Sequence, residues 1–497
     1  MMKNKNIILP MLASLLLVFF TSALLARGPV KYNPQFHKTQ ADKVTRTLSN
    51  VSNWAYWIVY DGLSAHDPIN DDSGGVYPRQ TTTVIFTDGL VWGGYVGGIN
   101  HGNLEENLRV GGVTYAVGTV PGYVHSDGTP APISDDKVRM YRIHRDFTKY
   151  WDNMSADEKA KAMSELKADA AEHNAVNVSD VTEAMVKDIV DAYAWSWENW
   201  PADLGAPVYP DGTPGLADAD QVIWFAVNDF DPASTNQLYG SQPIGLEVAT
   251  TIWAYNQPSA TLGQLIFKKY RIINYSGTTI DSMFVSQWSD PDVGNYSDDL
   301  TGCDVDRSLM IGYSGFLTDD QFSAFNLPPG CVGYDFFQGP IVPSPGDTAV
   351  FNLQYLPGYK NLPMTSYGFF SAGSDIDDPP LGDPAGTLQW YNMMNGYTPT
   401  EDLTNPTPYK HGAGPLRGQP TKFPLDGDPF LQVGDIDATG DNFPPGDRRM
   451  FMCSGPFTMQ PGDTQEVTVA VIGGIIQQAG GNNRNAVAQL KINDDFA

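Results

Sequence analysis

From residue 221 onward the chain is a series of short apolar or alternating runs, each closed by a turn signal. Gln221–Val227, Ile244–Tyr255, Gly263–Asn274, Thr279–Trp288, Leu309–Tyr313, Cys331–Gln338, Thr348–Tyr355, Met364–Ala372 and Thr464–Ile472 each read as a strand. Between them stand Asn274-Tyr275-Ser276-Gly277, Pro345-Gly346-Asp347 and Pro461-Gly462-Asp463. With 49 glycines and 37 prolines, turns outnumber what long helices would tolerate. This spacing predicts a mainly β fold, a multi-stranded β-sandwich with long Asp/Gly/Pro-rich loops.

The N-terminal half is more mixed. Lys3 and Lys5, the apolar stretch Ile7–Phe20 and the small residues near Ala23 and Ala26 read as an export signal over 1–26, followed by a polar lead-in over 27–50. Residues 51–137 form an N-terminal β region. Within it Thr81–Phe86 and Leu90–Val96 read as a hairpin joined at Asp88-Gly89, and Val110–Val117 as a further strand. Over 138–202 the composition turns helical and predicts a two-helix insertion. Ser155-Ala156-Asp157-Glu158 is a capping box opening a helix to about Glu172. A second helix runs from after Ser179 to Trp195 or Trp197, with Met185, Ile189, Ala192 and Trp195/Ser196 on its apolar face. Residues 203–497 are the main β-sandwich, with a long ordered loop region over 375–447.

The strand ending at Trp288 runs into a loop dense in carboxylates. Asp290, Asp292, Asp298, Asp299, Asp304 and Asp306 fall within 17 residues, and Arg307 is the first basic residue after them. Like charges at this density need screening, and hard oxygen donors on a turn-rich loop suit Ca²⁺. The candidate ligands are Asp290, Asp292, Asn295, Asp298, Asp299, Asp304 and Asp306, without the spacing of an EF-hand. Weaker acidic groups are Asp426, Asp428, Asp435, Asp437 and Asp441, then Asp375, Asp377, Asp378 and Asp383, then, weaker still, His66-Asp67 with Asp71 and Asp72; such clusters are more often turn chemistry than ligand chemistry.

A net charge of −27 excludes nucleic-acid binding through phosphates. After Phe20 no apolar stretch is long enough to span a bilayer, so no membrane insertion is expected once the signal is removed. Cys303, Cys331 and Cys453 allow one disulfide, and Cys303–Cys331 is the preferred pair by proximity in sequence. Neither H-E-x-x-H nor G-x-S-x-G occurs, and His66, His101 and His125 could meet only through the fold. Trp54, Trp57, Trp92, Trp253, Trp288 and Trp390 are candidate sugar-stacking platforms or core residues.

Several segments together resemble a family. They are Trp195–Pro207, Asn228-Asp229-Phe230-Asp231-Pro232, Pro243–Val248, Trp288–Gly294, Gly302-Cys303-Asp304 and Ser454-Gly455-Pro456-Phe457 with Pro461–Gln465. Over most of residues 50–497 the chain is similar to the N-terminal region of large secreted proteins of Gram-negative bacteria with type IX secretion. Such proteins often continue into fibronectin type III modules and a sorting domain, and the sequence to Ala497 carries neither. Either a fragment or another exit route accounts for that. Where such relatives carry a calcium loop, this chain has Tyr209–Gly215.

These readings lead to a secreted or surface-exposed, calcium-stabilised protein for binding, adhesion or scaffolding, without catalysis. Its partner would be an extracellular glycan or protein, or another copy of itself. A carbohydrate-active hydrolase and a self-assembling surface-layer or filament subunit are the alternatives.

Overall fold

The computed structural model describes residues 43–478 and 480–497. The export signal over 1–26 and most of the lead-in over 27–50 lie outside the described residues.

The fold is mainly β, and its paired strands are antiparallel. A large sheet runs in the order Tyr141–His144, Gln221–Asn228, Leu246–Ala254, Leu265–Asn274, Thr464–Gly474, Cys331–Gln338, Leu309–Ser314 and Asp299–Asp304, with Val120–Pro121 pairing beside Gln221–Asn228. A second sheet orders Ser366–Ser371, Arg448–Met459, Ile280–Asp290, Thr87–Val96 and Leu108–Gly112. The two pack over one core. The period-2 alternation sends Ile223, Phe225, Val227, Ile266, Tyr270, Val467, Val469 and Val471 inward, against Leu90, Trp92, Met283, Val285 and Met450 of the second sheet.

The opposite face of the large sheet is also covered in places, which is why these strands read as near-continuous apolar runs. Helix Asn483–Phe496 lays Ala486, Val487 and Leu490 on Leu265, Leu309, Cys331, Ala470 and Ile472. Further along, Trp224, Ala226 and Ala249 pack with Tyr141, Ala206, Trp195 and Trp200.

The 138–202 segment holds three helices, Ala156–Glu165, Lys167–Asn174 and Glu183–Glu198, where two were expected. The capping box is present, Ser155 Oγ accepting from Glu158 N at 3.3 Å while Glu158 accepts from Ser155 N at 2.7 Å. Leu166, with φ −102° and ψ 5°, leaves the helical region and splits the first helix, which lets Leu166, Ala170 and Ala171 turn into the small core. In the last helix Val186, Ile189, Val190, Tyr193, Ala194 and Ser196 are buried; of the expected apolar face Ile189 and Ser196 are among them, Met185 and Trp195 pack partly buried, and Ala192 is exposed.

Two turn readings and one strand reading differ from the structure. Asp88-Gly89 lies inside Thr87–Val96 and is no hairpin turn. A Cβ on Gly89 would sit 2.2 Å from Val113 O, so this glycine allows close backbone approach. The stretch read as one strand over Thr348–Tyr355 is instead the end of a hairpin, Ile341–Phe351 with Gln354–Asn361, turning at Asn352 and Leu353 at φ 49° and 57°. Pro345-Gly346-Asp347 falls at an irregularity within its first strand. Within 375–447 the chain is loop except for helix Pro384–Met394, capped by Asp383, and two-residue strands. That helix carries Trp390 into the core beside Phe370 and Phe451.

The cysteines are free thiols, and all three are buried. Register excludes the Cys303–Cys331 pair. Cys303 shares a row with Met310 and Tyr334, whereas Cys331 shares one with Tyr313 and Leu300. At roughly 4.8 Å per strand and 3.3 Å per residue the two are well over 10 Å apart, beyond disulfide reach. They also face opposite sides of the sheet.

Candidate functional site

The carboxylate-dense loop leaves the end of Ile280–Asp290 and returns as the edge strand Asp299–Asp304. Its seven candidate ligands do not converge on one point. They separate into three places.

Asp290, Asp292 and Asp299 turn inward and are 2%, 3% and 0% exposed. Asp290 Oδ2 accepts from the Tyr115 hydroxyl at 2.7 Å, and Arg449 Nε donates to the same hydroxyl at 2.5 Å. Arg449 Nε lies 3.4 Å from Asp378 Oδ2 and 3.9 Å from Asp290 Oδ1, and its Nη1 lies 3.3 Å from Asp447 Oδ1. Asp292 Oδ2 accepts from Ser73 Oγ at 2.9 Å, and Asp299 Oδ2 from Val293 N at 3.2 Å. Asp290 Oδ1 and Asp299 Oδ1 are buried with no hydrogen bond.

Five carboxylates thus gather where Arg449 supplies a single guanidinium. Burial pushes the Asp290 carboxyl well above its usual range even though Arg449 pulls it down, and Asp292 adds to the rise. Burial and then Asp292 do the same to Asp299. Burial lifts Asp378 to about 6 against the pull of Arg449. Such a group takes up either protons or a cation.

Asn295 and Asp298 serve the turn itself. Asn295 accepts from Ser297 N at 3.2 Å and caps the single 3₁₀ turn Tyr296–Asp298, while its own N–H donates to Asp319 Oδ2 at 2.9 Å. Asp298 accepts from Ser314 Oγ at 3.3 Å. Asp304 and Asp306 point elsewhere. Asp304 Oδ2 is 2.9 Å from both Arg307 Nη1 and Lys491 Nζ, and these cations outweigh burial and hold it below the usual range. Asp306 is exposed.

Among the described residues, the set bringing three ligand atoms within 4.8 Å of one another is His411, Asp426 and Asp435. His411 Nδ1 is 3.5 Å from a carboxylate oxygen of each. Asp435 is engaged as a loop brace: Oδ1 accepts from Gly412 N, Ala413 N and Asn442 Nδ2, and Oδ2 from Leu425 N. Its neighbours are equally committed. Asp437 meets Arg448 through two bonds of 3.0 and 3.2 Å, Asp428 meets Lys491, and Asp441 meets Arg417 at the surface. His66 Nε2 sits 2.9 Å from Asp71 Oδ1, and no contact gathers His66, His101 and His125 among the described residues.

All six tryptophans considered as stacking platforms are buried at 7% exposure or less. They serve the core.

Tyr115, Asp447 and Arg449 are the members of the buried group that local spacing misses. One signal was available: Arg448 and Arg449 open the apolar strand Arg448–Met459, and buried arginines there require carboxylates from elsewhere.

No family model matches the chain, and no curated protein matches it. Among solved structures, it has a partial likeness to a doubly substituted form of the GH36 alpha-galactosidase AgaA of Geobacillus stearothermophilus in complex with stachyose, at 9% identity and a TM-score of 0.20, covering 52% of this chain. The matched part spans about a quarter of that protein's length, 24%. So low a score carries no argument about fold or activity.

Proposed function

We propose that this chain works outside the cell as a binding, adhesion or scaffolding protein. A divalent cation at Asp290, Asp292 and Asp299 stabilises its β body. The observation that carries the reading is the pair of buried oxygens without hydrogen bonds, Asp290 Oδ1 and Asp299 Oδ1, within a surplus of buried carboxylates. An unpaired buried carboxylate is costly, and a bound cation removes that cost. Calcium fits the donor set, which is all oxygen. It accepts monodentate carboxylates, main-chain carbonyls and water in one shell, so it does not require three side chains already drawn together. The tryptophans, whose faces are used by the core, favour this reading over a hydrolase cleft lined by Trp. Export rests on the Lys3/Lys5 and Ile7–Phe20 pattern.

Elemental analysis of the purified chain tests the cation. The native protein should carry about one equivalent of calcium, the stoichiometry of a single such shell. The Asp292→Asn, Asp299→Asn double variant should lose it. Metal-free native protein that is fully folded at neutral pH contradicts the reading.

A further inference from the structure

The outer face of the large sheet is left open between its two covered regions. There a groove of about 640 Å³ lies between the loop at residues 205–216 and the turn of the hairpin Ile341–Phe351/Gln354–Asn361. The strand register defines its floor. Lys269 stands opposite Thr251 and Thr468, and Arg271 opposite Ala249 and Glu466. Inward positions 266, 268, 270 and 272 alternate with these, so both cations face the groove.

Nearby carboxylates are already engaged. Glu466 Oε2 accepts from Asn352 N at 2.6 Å, and its Oε1 is 3.7 Å from Lys269 Nζ. Glu247, on whose carboxyl the Arg271 charge acts, accepts from Val124 N. Among the described residues the Arg271 guanidinium makes no hydrogen bond and no ion pair within 4 Å. Gly205, at φ +94°, leaves the guanidinium its room: an added Cβ would lie 2.5 Å from Nη1. In a chain of net charge −27, an uncommitted guanidinium beside a lysine in a groove marks the ligand as an anion.

We propose that this groove binds a carboxylate-bearing oligosaccharide, a uronate seated on Arg271 with Lys269 beside it. The inference rests on the extracellular binding reading above and is independent of the cation. A planar guanidinium matches a carboxylate through two parallel hydrogen bonds. The volume lies in the usual range for small ligands, and the Pro207 and Leu353 side walls offer apolar surface to sugar rings. Thr251 and Gln354 bring hydroxyl and amide groups for sugar hydroxyls. A peptide fits less well. The floor strands are central ones with both edges paired, so no free edge is offered to an extended main chain.

The test is calorimetric titration of the full chain with tetragalacturonate, against neutral maltotetraose and a hexaglutamate peptide. Saturable binding of tetragalacturonate alone is expected. Arg271→Gln should weaken it by about tenfold or more with an unchanged melting temperature, since the native guanidinium makes no bond within the described residues. Leu353→Asp, on the exposed hairpin turn, should weaken binding as well. Absent binding, equal binding by folded Arg271→Gln, or equal binding of hexaglutamate overturns the proposal. A chain that melts earlier in EGTA yet ignores the saccharide refutes the groove alone. One that binds it and is indifferent to EGTA refutes the cation alone.

Discussion

Lys268 Nζ lies 2.9 Å from Asp88 Oδ1 across the two packed sheets, with both side chains 1% exposed or less. The ammonium also donates to Tyr56 Oη at 2.9 Å and Ser64 Oγ at 3.1 Å, while Asp88 accepts from the Tyr56 and Tyr334 hydroxyls at 2.6 and 2.8 Å. Burial lowers the affinity of Lys268 for its proton, but Asp88 outweighs it and holds the lysine charged. With its charges and hydroxyls so engaged, the pair fixes how one sheet sits on the other. Removing one partner leaves a bare charge in the core. Lys268→Met should therefore cost about 3–5 kcal/mol in denaturant unfolding. Adding Asp88→Asn to it should recover part of that loss. A cost below about 1 kcal/mol for Lys268→Met, the size of an exposed pair, would refute this role.

The thiols give a second prediction. Cys303, Cys331 and Cys453 are buried, and burial raises all three thiol pKa values. Thiol titration of the native chain should proceed only as fast as unfolding, and should count three groups in denaturant without reductant. A count of one would mean a disulfide and would contradict the strand register.

Asp335, on Cys331–Gln338, and Asp494, on the C-terminal helix, predict a pH dependence. Burial, then Asp494, pushes Asp335 up to about 9, and burial lifts Asp494 to about 6. Both are raised, so the folded chain holds protons that the unfolded chain releases. Their contribution to stability is full below the ordinary carboxylate range and is lost as pH rises through about 6 and then about 9. Asp335→Asn removes the repulsion and should gain on the order of 1 kcal/mol at alkaline pH, flattening the denaturation midpoint against pH. An unchanged slope would contradict the pairing.

Much of the sheet framework was legible because alternation survives in single strands. Ile223/Phe225/Val227 and Val222/Trp224/Ala226 separate cleanly onto two faces. Failures came where one local signal serves two purposes. Asp88-Gly89 has turn chemistry, yet Gly89 is needed for contact with Val113 O, and Asp88 is needed for Lys268. Pro345-Gly346-Asp347 marks an irregularity inside a strand. The candidate site was half legible. Asp290, Asp292 and Asp299 stand out by density, but Tyr115, Asp378, Asp447 and Arg449 join them only through pairing of distant strands. Arg307, three residues on, is the one local cue that sets Asp304 apart from the inward Asp290; its other partner, Lys491, comes from the C-terminal helix.

The buried carboxylates at Asp290, Asp292 and Asp299 are held either by a cation or by protons. Thermal unfolding of the purified chain at neutral pH, in calcium and in excess EGTA, measures this directly. We predict a melting temperature markedly lower in EGTA, restored by calcium, and insensitive to both in the Asp292→Asn, Asp299→Asn variant. Identical melting of the native chain in calcium and EGTA would mean that these carboxyls are held by protons, and the cation would have no part in the fold.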